Sequence, residues 1–315
     1  MKVEKLDDNY RPHGRELVRV KTAGHIKELM WIEKRNNQMY IRKISADEYI
    51  DLREEPNPDT GEPILHKFKR TENRAENKAG VAKSLALGRD LINTNVTDVS
   101  CCRWVTLTYA ENMTDPKKLY EDFKNFNKRL RYQLQEKYEY IVAMEPQGRG
   151  AWHAHVVMLF NHKAPYIANN EMAETWGHGF VTVKKLDDVD NVGAYLTAYL
   201  GDLDLSEVES GAVNTVSGCH EIKVIETIDE NGNPLQKKYI KGGRLHMYPP
   251  KFNIFRYSRG IKKPIVELMA AEKAEKKVRA GTLTFEKTLK LTNNEFQTHI
   301  NYRYYNSKRE LCQDK

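Results

Sequence analysis

A chain of 315 residues with 40% hydrophobic and 30% charged side chains can bury a large core, which excludes a disordered tail or a small disulfide-stapled scaffold. Lys and Arg number 51 against 44 Asp and Glu, a net charge of +7 that favours a polyanionic partner, and the cations gather in 67–89, 117–131 and 237–263. No apolar run approaches the ~20 residues that span a bilayer, Met1 to Asp8 is too polar for a secretory signal, and Cys101, Cys102, Cys219 and Cys312 form no C-x-x-C pair, so the expectation is a reduced, cytoplasmic setting without membrane contact.

In chain order, residues 1–65 are polar, with short strand patterns at Leu17–Val20 and Met39–Arg42 and a turn-rich stretch at Glu55–Gly61, and read as an N-terminal accessory region. Thr71–Ile92 suits a helix, apolar at Val81, Leu85 and Leu91, whose Arg74, Lys78, Lys83 and Arg89 are placed to follow a nucleic-acid backbone. Arg103–Tyr109 then reads as a strand, Asp115–Glu136 as an amphipathic helix with Leu119, Phe123, Phe126 and Leu130 on one side, and Tyr138–Glu145 as a second strand. Pro146–Gly150 has turn composition, so Trp152–Phe160 returns as the other arm of a hairpin. A polar connection with Ala173–Trp176 leads through Gly177, His178 and Gly179 into a strand at Phe180–Val183, and Asp188–Leu200 is a further helix candidate. This β-α-β-β-α-β order predicts an α+β fold, a ferredoxin-like split β-α-β core at 66–205 with an antiparallel sheet that exposes one face. Residues 206–315 read as a C-terminal accessory and DNA-binding region. They hold a hairpin of Glu221–Glu226 with Lys237–Lys241, a basic and aromatic block at Arg244–Pro264, an exposed helix at Glu267–Arg279, and strands at Thr282–Leu291 and Thr298–Tyr305.

The chemistry concentrates in His153-Ala154-His155. Side chains two apart on a strand share a face, so both imidazoles can meet one cation, and Glu145, at the end of the preceding strand, folds back beside them. The three make a His2Glu set for a divalent cation, Mg2+ or Mn2+, suited to polarising a phosphodiester. Arg149 at the hairpin tip can hold a phosphate through its planar donor fork. Tyr195 and Tyr199, at i and i+4 of the later helix, present two phenols on one face; a phenol can attack phosphorus and conserve the cut bond as a phosphotyrosine. In the basic block, Arg244, Arg256, Arg259 and Lys262 can neutralise DNA phosphates while Tyr248, Phe252, Phe255 and Tyr257 stack bases. His178 and His246 are weaker candidates. No G-x-x-x-x-G-K-[ST] phosphate loop is present, so unwinding would fall to a separate helicase.

These motifs together resemble the HUH endonuclease superfamily, and within it the rolling-circle replication initiators of plasmids and single-stranded DNA phages, including those similar to filamentous-phage gene II proteins. The resemblance rests on Val105–Tyr109, on Glu145 with His153-Ala154-His155, and on Val192-Gly-Ala-Tyr195-Leu-Thr-Ala-Tyr199, with further similarity in Arg70–Thr114, Trp176–Val181 and Lys241–Pro264. Histidines before the tyrosines is the order of the replication branch rather than of relaxases. The resemblance implies nicking and rejoining of single-stranded or origin DNA, with Tyr195 as first nucleophile and Tyr199 as second, and a free 3′-hydroxyl for a host DNA polymerase. Such initiators often carry a lysine three residues after the tyrosine, where this chain has Ala198 and Asp202. Lys184 and Lys185 are candidates to replace it. The rival readings are a DNA-binding protein of the same fold without nicking activity, and an HUH transposase or mobilisation enzyme.

Overall fold

The structure is a computed structural model that describes residues 2–6, 10–34, 41–45, 47–52, 54–68, 70–187, 189, 191–198, 200–209, 221–228, 234–292 and 296–308. Its centre is a five-stranded antiparallel sheet formed by β1 (Cys102–Thr108), β2 (Glu139–Pro146), β3 (Trp152–Leu159), β4 (Val181–Lys184) and β5 (Phe255–Tyr257), in the order β4-β1-β3-β2-β5. The hairpin strand β3 lies between β1 and β2, so these two run parallel and their connection crosses over it. That connection is helix α2 (Pro116–Leu134). Asp115 caps it by accepting from Lys117 N at 2.8 Å, and Pro116 occupies the first turn, where no backbone donor is needed.

Neighbouring residues of a strand face opposite sides, and the sheet divides accordingly. One side carries Val105, Leu107, Val142, Met144, Ala154, Val156 and Met158, all buried against Leu119, Phe123, Phe126 and Leu130 of α2. The other carries Glu145, His153, His155 and Thr106. Helix α1 (Lys78–Asn95) packs on this second side, with Gly88 so close to Phe255 of β5 that an added Cβ would lie 2.2 Å from the ring.

Three readings of the sequence change. Ala173–Trp176 is not a polar connection but the end of helix α3 (Asn169–Trp176), which stands beside α2 on the apolar side. Its aromatic end decides this: Trp176 is fully buried, meets Phe126 edge-on at 5.7 Å, and donates from Nε1 to Thr108 O. Arg129 of α2 donates to the carbonyls of Thr175 and Trp176, satisfying the helix end. Arg74 is buried and donates to Gly80 O and Ser84 Oγ, so it steadies α1 and does not track DNA. The segment read as an exposed helix from Glu267 begins as a strand, Ile265–Ala270, and turns helical at Ala271–Val278. That strand closes a six-stranded sheet joining both ends of the chain, in the order Lys2–Leu6, Thr282–Thr292, Gln297–Asn306, Ile26–Ile32, Leu17–Ala23, Ile265–Ala270. The expected hairpin is present as Ile222–Ile228 with Pro234–Ile240. No helix among the described residues is long and apolar enough to cross a membrane.

Truncating Trp176 to Ala should cost about 3–5 kcal/mol, the usual loss for a buried aromatic. Urea denaturation checks this; a loss under about 1 kcal/mol would return Ala173–Trp176 to the status of surface connection.

Candidate metal centre

The register of β1, β2 and β3 brings the expected ligands together. His153 lies opposite Glu145 on one side and Thr108 on the other, and His155 lies opposite Ala143 and Thr106. The ring Nε2 atoms of His153 and His155 are 2.8 Å apart, and each faces Glu145 Oε2, at 3.5 and 3.7 Å. One ligand atom from each of the three residues lies within 4.8 Å of the other two, a donor set compatible with a divalent cation.

The two oxygens of Glu145 have different tasks. Oε1 accepts from Gly201 N at 2.8 Å and faces the Arg244 guanidinium at 3.4 Å, while Oε2 is left toward the imidazoles. Burial pushes the Glu145 carboxyl up, but the histidine hydrogen bonds and the charges of His153 and Arg244 outweigh it and hold the group well below its usual range, so it is an anion. Burial pushes His153 down, against the pull of Glu145, which keeps that ring neutral and its nitrogen available as a ligand. His155 is fixed from the side. Its ring stacks on Trp104 at 5.2 Å and 10°, and its Nδ1 lies 3.2 Å from Thr106 Oγ1, which leaves Nε2 for the cation when Nδ1 carries the proton.

The tyrosine helix α4 (Val192–Thr197) is shorter than the expected Asp188–Leu200 and follows β4 instead of preceding a strand of the sheet. It lies on the metal side: Leu196 and Leu200 line a small pocket with Trp104, His155 and Ile92. Its start is pinned to α1, where Asn93 Oδ1 accepts from Gly193 N at 2.8 Å and Asn93 Nδ2 donates to Asn191 Oδ1. Gly193 is required by proximity, because a Cβ there would sit 2.4 Å from Arg89 O. Tyr195 is 53% exposed, and Tyr199 lies outside the described residues.

The other candidates separate. Arg149 is exposed at the hairpin tip, where its Nε donates to Gln147 Oε1. Lys184 is exposed and lies opposite Trp104, hence on the metal side, while Lys185 follows the strand end. The ammonium that reaches α4 is instead that of Lys223, which donates to Ala198 O at 3.2 Å from the distant hairpin. Arg244 belongs to the metal centre, as described, while Arg256, Arg259 and Lys262 are exposed. Tyr248, Phe252 and Phe255 are buried core residues and cannot stack bases; Tyr248 packs edge-on against Trp152. His246 is exposed. His178 stands apart from the three ligands, 3.4 Å from Asp122 Oδ1, while Asp122 Oδ2 accepts from Tyr109 Oη and Lys118 Nζ.

Trp104, Thr106, Gly201 and Lys223 were not singled out by the sequence. For the first two a signal existed, since 104, 106 and 108 alternate in β1 as the histidines do in β3.

With this geometry in place, the comparisons with known proteins point to a class. The family model of the replication-associated protein ORF2/gene II protein matches residues 102–204, about a third of the chain. The matched segment runs from β1 through α4 and contains Glu145, His153, His155 and Tyr195. It supports a replication-initiator-like family, a role in DNA replication and DNA as partner. No curated protein and no solved structure matches the chain.

Thr106→Val keeps the side-chain volume but removes the oxygen facing His155 Nδ1, and should weaken Mn2+ binding roughly 10–100-fold in calorimetric titration. An unchanged Kd would show that Thr106 does not orient the ring. At Asp122, burial acts upward but Lys118, Tyr109 and His178 prevail, leaving the carboxyl below its ordinary value. Such a group stabilises the fold above its unfolded pKa and loses that contribution as pH falls toward the folded value. Asp122→Asn should therefore lower the urea midpoint at pH 7, with the gap from wild type closing below about pH 4; a gap independent of pH would rule out the ionic contribution.

Proposed function

We propose that the chain is a rolling-circle replication initiator of the HUH endonuclease type, which nicks and rejoins single-stranded DNA at an origin through a 5′-phosphotyrosine intermediate. The observation that carries this reading is the convergence of Glu145 Oε2 and two imidazole Nε2 atoms on the sheet side where α4 packs. The strand order β4-β1-β3-β2, with α2 and α3 on the opposite side, is that of a ferredoxin-like split β-α-β unit and supports the same reading.

Glu145, His153 and His155 hold Mg2+ or Mn2+, which supplies Lewis acidity to the scissile phosphate. Tyr195 is the first nucleophile. Its phenolic oxygen forms a bond to phosphorus, the bond from phosphorus to the 3′ oxygen breaks, and that oxygen takes up a proton to become the 3′-hydroxyl a host DNA polymerase extends. The phenol's own proton passes to water. Tyr199 accepts the second strand in the closing transfer. Lys223, held at Ala198 O beside the helix, offers positive charge where the lysine expected after the tyrosine is missing. Arg149, Lys184 and Lys185 steer the backbone toward the cation, and a separate helicase opens the duplex. The cytoplasm is the setting this role requires.

A second reading, DNA binding without nicking, draws on Ala198 and Asp202. Mass spectrometry separates the two after incubation with Mn2+ and a random-sequence single-stranded DNA library. A covalent adduct should map to Tyr195, vanish in Tyr195→Phe and in His153→Ala, and persist in Tyr199→Phe with the closing transfer impaired. Gly193→Ala should cut adduct formation by roughly tenfold or more through displacement of α4, yet leave Mn2+ affinity intact. An adduct that survives the double Tyr195→Phe, Tyr199→Phe change would refute tyrosine chemistry here.

A further inference from the structure

The metal side does not hold the main concentration of uncompensated positive charge. A groove of about 590 Å³ runs along the opposite side of the central sheet, between α2 and the edge strand β5. Met144 and Tyr140 form part of its floor, and Met144, adjacent to Glu145 in β2, points away from the metal centre. The walls carry Lys124, Lys128 and Arg131 from α2, facing Arg256 and Arg259 at β5, against one carboxylate, Glu121. All five cations are exposed, and among the described residues none of them is ion-paired.

Their arrangement is regular. Lys124, Lys128 and Arg131 recur at i, i+4 and i+7 and so share one helix face. At a rise of 1.5 Å per residue they span about 10 Å, close to three nucleotide steps of ~3.4 Å. Across the groove, the Arg256 guanidinium lies over the Tyr120 ring, 3.3 Å from its centroid, and Tyr120 in turn stacks on buried Phe252 at 5.3 Å. This stack holds a planar donor fork in place before any ligand arrives, which reduces the entropy lost on gripping a phosphate. A groove of helix-borne lysines facing a preset arginine suits a phosphodiester backbone, and an acidic peptide would not match its even spacing.

We propose that this groove is a second DNA-binding site, which holds nucleic-acid backbone on the side of the sheet remote from the metal. The proposal rests on the reading of the chain as a DNA-acting protein, but it requires neither the metal nor a tyrosine nucleophile.

The test is fluorescence anisotropy of the full chain in EDTA, with a labelled mixed-sequence single strand and the corresponding duplex as probes. The double change Lys124→Ala, Lys128→Ala should weaken binding of the preferred probe tenfold or more. It should also flatten the slope of log K against log salt, by about 1.8 if that probe is duplex and about 1.4 if it is single strand. Lys124→Arg with Lys128→Arg should restore both. A control pair, Lys273→Ala with Lys276→Ala, removes the same charge from exposed positions on the distant helix and should change neither. Wild-type affinity and slope for both probes in the first pair, or equal losses in the control pair, would overturn the groove. Groove-dependent binding by a chain that forms no tyrosine adduct would uphold the groove and count only against nicking.

Discussion

The metal centre depends on how one buried carboxylate is held. Glu145 is 4% exposed, and an isolated ion so placed would cost several kcal/mol. Gly201 N and Arg244 offset that cost from one side by engaging Oε1, which points Oε2 at the two imidazoles. The same contacts tie three distant stretches of chain to the sheet: the hairpin strand through its histidines, the segment following α4 through Gly201, and the turn after the Pro234–Ile240 strand through Arg244. A carboxylate that both binds a cation and anchors the chain beyond the tyrosine helix couples helix position to ligand position.

Period-two alternation in the sheet carries that arrangement outward. Because β3 is central, its histidines see β1 on one side and β2 on the other, so Thr106 and Glu145 reach the same rings from opposite strands. The residues between them form the floor on which α2 and α3 pack, and the apolar layer anchored by Met144 and Ala154 makes the ligand strands rigid. Helix α4 cannot lean on that layer. It is held by α1, through Asn93 and the close approach at Gly193, and so a residue far from the cation in sequence sets where Tyr195 stands.

Much of this was legible in the sequence where it depends on local period. The i, i+2 histidines, the turn at Pro146–Gly150 and the apolar face of α2 follow from spacing alone, and the register places them as expected. Misreadings arose where tertiary contacts override local composition. Asn169–Trp176 looks polar, yet Met172 and Trp176 suffice to bury one side of so short a helix. The block from Arg244 looks like a DNA-binding stretch because basic and aromatic residues alternate in it; the fold sends Arg244 to Glu145 and Tyr248 to the core, and leaves only its later arginines and lysines in solvent. Lys223 at α4 could not be foreseen, since pairing across 25 residues of sequence leaves no periodic trace.

The charges also explain why the cationic groove and the metal centre occupy different sides of the sheet. Arg244 already places one positive charge 3.4 Å from the carboxylate that would bind the cation, in a site where burial weakens screening. Each further cation there would oppose a divalent ion without the protection of solvent. Lys124, Lys128, Arg131, Arg256 and Arg259 are exposed, where water and salt reduce their mutual repulsion within about a Debye length of roughly 10 Å. The apolar layer between α2 and the sheet keeps them from crowding His153 and His155. A chain that must attract a polyanion and still hold a divalent cation is thereby relieved of doing both on one surface.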